Sequence, residues 1–71
     1  MDWIYLVSVD DVQGYTIIGT GKTPKEAMDV AWKAYKENFS MDFTDKKKWF
    51  EYHGISENSC KGFNVGDGWV W

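Results

Sequence analysis

Four places in this chain carry residues that can do chemistry. Gly21-Lys22-Thr23 ends like a phosphate-binding loop, His53 and Cys60 are the one histidine and the one cysteine, and Asp10-Asp11 is an acidic pair. A P-loop needs Gly-x-x-x-x-Gly-Lys-[Ser/Thr], and the position five before Gly21 is Thr16, so the first glycine is missing. Thr23 reads instead as a helix N-cap, with Pro24 at the first helical position and Glu26 three residues after the cap, the pattern of a capping box. Lys22 then falls ahead of the helix, whereas a phosphate-binding lysine sits in its first turn. No nucleotide site is expected.

The other candidates are weaker. A thiolate-imidazole pair of Cys60 and His53 would need a surrounding nucleophile motif, and neither residue has one. His53 reads as a helix end, where a cation or hydrogen-bonding ring is welcome, and Cys60 as a small hydrophobe. Structural zinc takes four ligands, and only these two soft ones are present. Asp10-Asp11 and Gly66-Asp67-Gly68 lack the repeated Asp/Asn spacing of a calcium loop. The eleven acidic residues leave a carboxylate pair for glycoside chemistry open, but 71 residues give little room for a substrate cleft. The expectation is a non-enzymatic protein with no catalytic residue, metal or cofactor.

Length and composition narrow the class further. A 71-residue chain makes one domain, of a size that buries only about 60% of its unfolded surface. A single cysteine excludes an intrachain disulfide. No apolar run approaches the ~18 residues of a membrane span, and Asp2 stands where a signal peptide carries positive charge, so a cytoplasmic location without membrane contact is expected. All eight basic residues are lysines against eleven acids, for a net charge of −3, which disfavours duplex nucleic acid because base reading leans on arginine's planar fork. Lys46-Lys47-Lys48 reads as a solvated helix face.

The elements that position these residues follow from periodicity. Residues 3–9 alternate as a strand with Trp3, Tyr5, Val7 and Val9 on one face, and Tyr15–Thr20 returns after a loop as an antiparallel partner. From about 23 to 38 a helix gathers Ala27, Ala31, Ala34, Tyr35 and Asn38 on one side, with Trp32 and Phe39 at the edge of the stripe. A second short helix spans about 45–53, stopped by Gly54 with Ile55 placed to pack back on Phe50; a strand over 48–52 is the competing reading. Ser56-Glu57-Asn58 reads as a loop, and residues 60–65 and 69–71 as strand pieces around a turn at Gly66-Asp67-Gly68. The fold class expected is α+β: a small antiparallel sheet of three or four strands with the helices on one face.

Gly21-x-Thr23-x-x-Glu26-Ala27, following a hairpin and opening a helix, resembles the strand-to-helix turn of HicB-like antitoxin domains. The likeness covers seven residues. The chain departs from that family in having two strands rather than three before the helix and no proline-rich segment, so no functional residue is carried over. As a whole the chain is similar in style to short, lysine-rich accessory proteins of phages and mobile elements.

Five Trp, four Tyr and four Phe are more ring surface than so small an interior holds, and exposed rings mark interaction sites. The functional expectation is a protein-binding module, such as a phage or mobile-element inhibitor of a host defence protein acting by stoichiometric binding. Its expected partner is another protein, with a homodimer as a further possibility, and Trp71, Trp69, Trp32 and Phe39 are the candidate contact residues. The alternative is a small ligand or single-stranded nucleic acid held by exposed rings and lysines.

Overall fold

The computed structural model describes residues 3–10, 14–39, 43–66 and 68. Three strands, β1 (Trp3–Asp10), β2 (Thr16–Gly21) and β3 (Lys61–Asn64), form one antiparallel sheet in the order β2-β1-β3. Two helices, α1 (Pro24–Asn38) and α2 (Lys46–His53), complete the α+β architecture, with a single 3-10 turn at Glu57–Ser59.

Alternation along β1 puts Val7 and Val9 into the core with no exposed surface. Register carries the same face across to Ile17 and Gly19 of β2, which pair with Val9 and Val7. Ala27, Ala31 and Tyr35 of α1 and Trp49 and Phe50 of α2 close over it, and these eight apart from Gly19 form the buried cluster. Small residues set the layer spacing. A Cβ on Gly19 would stand 2.0 Å from the Ala27 carbonyl oxygen, and one on Gly21 2.6 Å from the Glu26 Cβ, so α1 rests directly on β2. The opposite sheet face carries Ile4, Leu6, Ile18 and Phe63 among Ser8, Thr16, Thr20 and Lys61, by the same alternation.

The helix ends are built from local chemistry. Thr23 Oγ1 accepts from the Glu26 N–H at 3.1 Å, while the Glu26 carboxylate reaches past the cap to accept from the Lys22 N–H at 3.0 Å. The expected box is thus half standard, with its return bond displaced one residue toward the strand. At α2, Asp45 Oδ1 accepts from the N–H groups of Lys47 and Lys48 at 2.8 and 3.4 Å. Its negative charge offsets three lysines in a first turn where the helix dipole disfavours them. Gly54, at φ 69°, stops α2; its N–H donates to Glu51 O and that of Ile55 to Phe50 O at 2.8 Å, a Schellman arrangement.

Several boundaries differ from the sequence reading: β1 runs on to Asp10, and β3 is confined to Lys61–Asn64 within the expected 60–65. Residues 57–59, read there as part of a loop, close a 3-10 turn because the Ser59 N–H donates to Ser56 O and the Ser56 N–H to Ser59 Oγ. β2 starts at Thr16 and runs on to Gly21, because Tyr5 extends the pairing to that glycine. Gly66, at φ 101°, takes the turn conformation expected of it, and the expected strand at 69–71 lies outside the described residues.

Candidate functional site

α1 runs back along β2, so its C-terminal end returns to where β2 begins. That return brings Phe39 against Tyr15, with ring centroids 5.4 Å apart. Between the strand and the helix flank lies an open groove of about 460 Å³. The Thr16–Ile18 edge of β2 makes one wall, Ala34 and Asn38 of α1 the other, and the Tyr15 and Phe39 rings line it as well. Asn38 turns its side-chain amide inward on the helix, donating from Nδ2 to Ala34 O at 2.8 Å. Helical spacing sets Val30 one turn before Ala34 on the same flank. Tyr15, which lines the groove, is 58% exposed and Val30 on the helix flank 44%, while Ile18, 54% exposed, borders the groove along the strand with its side chain on the opposite sheet face. The groove's lining residues are all uncharged.

The strand wall is chemically unfinished. β2 is an edge of the sheet, and among the described residues only β1 pairs with it. In an antiparallel pair every second residue of an edge strand turns its N–H and C=O outward. Natural edges are commonly blunted by lysine, proline or a bulge. β2 reads Thr-Ile-Ile-Gly-Thr-Gly, and neither of its glycines has a positive φ.

The candidate contact residues separate. Phe39 stacks on Tyr35 at 5.9 Å and reaches the groove. Trp32 lies on the other flank of α1, half-buried, at 5.6 Å from the Tyr35 ring and 5.4 Å from Trp49, with Lys36 Nζ 6.0 Å from its centroid. It covers the aromatic core there. Trp69 and Trp71 lie outside the described residues. Tyr15, Ile18, Ala34 and Asn38 were not among the contact residues expected from the sequence, which placed Ala34 and Asn38 on the inward stripe of the helix. The available signal was an outward isoleucine in a strand without charges, but only the strand order says that this strand is an edge.

Cys60 and His53 have separate surroundings. The Cys60 thiol donates to Pro24 O at 3.5 Å, while His53 packs edge-on against Trp49 and Tyr52. Burial pushes the Cys60 pKa above its ordinary 9.0, and the Glu57 carboxylate adds to the shift. The thiolate that nucleophilic or ligand chemistry requires is therefore disfavoured.

A second, smaller hollow of about 310 Å³ opens between α1 and α2 over Met28, Phe50 and Ile55. Lys25, Lys46 and Lys47 on its rim face Asp29, Glu51 and Glu57, and Lys46 Nζ pairs with Asp29 at 2.7 Å. Charges of both signs alternate there, and no single field converges on a ligand.

Comparison with protein-family models, curated proteins and solved structures found no match to this chain. Among the described residues no helix is long and apolar enough to cross a membrane.

Proposed function

We propose that this chain is a non-enzymatic protein-binding module that acts by stoichiometric occupancy, and that its partner surface is the groove between β2 and α1. One observation carries the reading: a strand edge that no described residue outside β1 pairs with lies beside an uncharged groove lined by the Phe39 ring and the exposed Tyr15 ring. Exposed apolar side chains that cluster mark interaction surfaces, whereas scattered ones do not. Tyr15 and Phe39 supply the rigid ring area that anchors protein contacts at low entropic cost. A module of this kind needs no reacting group, which accords with a protonated Cys60 thiol. It blocks or tethers whatever it covers, as an inhibitor of a host protein would.

The test is site-directed photocrosslinking. Benzoylphenylalanine at Tyr15 should capture a discrete protein from the lysate of cells that express the chain, and Ala34→Glu should abolish the adduct. The same probe at Tyr52, an exposed ring on α2, should not capture it. Equal capture from both positions, or indifference to Ala34→Glu, overturns the groove as partner surface.

A further inference from the structure

We infer that the groove takes an extended segment of another protein, which adds to the sheet as a fourth strand along the outer edge of β2, where no described residue pairs. This rests on the groove being the partner surface, and it names the form the partner takes there.

The backbone argument comes first. The outward N–H and C=O groups of β2 are matched only by another extended chain, lying ~4.8 Å away in the plane of the sheet. A helix laid in the groove has its own backbone bonds internally satisfied and would leave that row facing it unpaired. Side chains of an added strand alternate across the sheet plane, so every second one points to the face where Ala34 and Asn38 stand.

Geometry then decides between a second copy and a foreign segment. Symmetric pairing of β2 with the β2 of another copy would bring in that copy's α1. Because α1 packs closely on β2, where a Cβ added to Gly19 would stand 2.0 Å from Ala27 O, the two helices would lie about one strand spacing, ~4.8 Å, apart. Packed helices need 8–10 Å between axes. A bare strand brings no helix and meets no such collision.

Charge complementarity sets the sequence of the occupant. With no charge among the lining residues, a charged side chain directed into the groove would lose hydration without gaining a partner. The inward positions are therefore apolar, about 6.6 Å apart along the segment. The partner is an apolar-x-apolar stretch with no proline at the positions that pair with β2.

A seven-residue random peptide library is selected on the full chain and counter-selected against Ala34→Glu, with Asn38→Arg as a second block in case the first disturbs folding by circular dichroism. Recovered peptides are resynthesised with one backbone N-methyl group at each successive position. Strand addition predicts an alternating profile: about tenfold weaker binding at every second position, where a donor to β2 is removed, and little change between. A flat profile with binding still lost in Ala34→Glu keeps the groove as partner surface and overturns the added strand. Alternation that ignores both groove variants places the peptide on another edge and overturns both statements. A library that returns no peptide sensitive to the groove variants overturns the added strand, while crosslinking from Tyr15 still judges the groove. Light scattering that shows a dimer converted to monomer by Ala34→Glu makes a second copy the occupant and overturns the inference.

Discussion

Gly19 lies so close beneath Ala27 that the missing Cβ would stand 2.0 Å from the Ala27 carbonyl oxygen and 2.6 Å from the Ala31 nitrogen. Both neighbours are helix backbone, which cannot swing aside as a side chain tip can. Gly19→Ala therefore has to lift α1 from the sheet, and overpacking of this kind costs ~1–3 kcal/mol or more. Urea denaturation should show that loss, while Gly14→Ala, at φ 88° with open space around it, should cost only backbone strain. Equal midpoints for Gly19→Ala and the parent chain would contradict the close packing.

The cap of α1 gives a second expectation. Thr23→Ala removes the acceptor for the Glu26 N–H and should cost about 1 kcal/mol. Glu26→Gln keeps a side-chain oxygen for the Lys22 N–H and should cost less than Glu26→Ala. Thermal melts should show no saturable rise with ATP or GTP and magnesium; a rise that vanished in Lys22→Ala would restore the phosphate-loop reading.

Trp49 is the largest fully buried side chain, stacked on Tyr35 at 4.7 Å. Its indole N–H has no hydrogen-bond partner among the described residues. Trp49→Ala should lose ~3–5 kcal/mol by opening a cavity in the core. Trp49→Phe removes the unpaired N–H and breaks no hydrogen bond, so chemical denaturation should show less than half that loss. Similar losses for the two variants would mean that the N–H is satisfied in solution.

The Cys60 thiol has its pKa raised in the folded state, first by burial and then by Glu57. The protonated form is thus favoured by folding. Above the ordinary value of 9.0 the unfolded chain ionises first, so stability should be constant below that pH and fall as pH rises past it. Cys60→Ala should remove this contribution to the fall, measured by urea midpoints between pH 7 and 10.5. Alkylation by iodoacetamide at pH 8 should also be slower than for a free cysteine peptide.

The parts legible in advance are those set by near neighbours. Thr23-Pro24-Lys25-Glu26 announces a helix start, and Gly54-Ile55 a helix stop, through hydrogen bonds that span at most five residues. Tyr5, Val7 and Val9 mark one strand face by alternation. Residues 57–59 were missed because Ser56 and Ser59 have the composition of a loop, and a reciprocal pair of short bonds is enough to wind it. Trp32 shows the limit from the other direction: its place at the edge of the α1 stripe fits a lid as well as a contact surface. The position of α2, which sets Trp49 5.4 Å from its ring, is what makes it a cover for the core.

Sequence alone determined the α+β class, the capped start of α1 and the failed spacing of a nucleotide loop, since each depends on residue spacing within one or two turns or along one strand, while 48–52 stayed open to a strand until the structure showed α2. Tertiary structure decided where a partner has room. Strand order leaves β2 at the edge, and the return of α1 over Gly19 and Gly21 sets a helix beside that edge and brings Phe39 to Tyr15. No local pattern encodes which side of a strand stays unpaired, because that depends on where every other strand has gone.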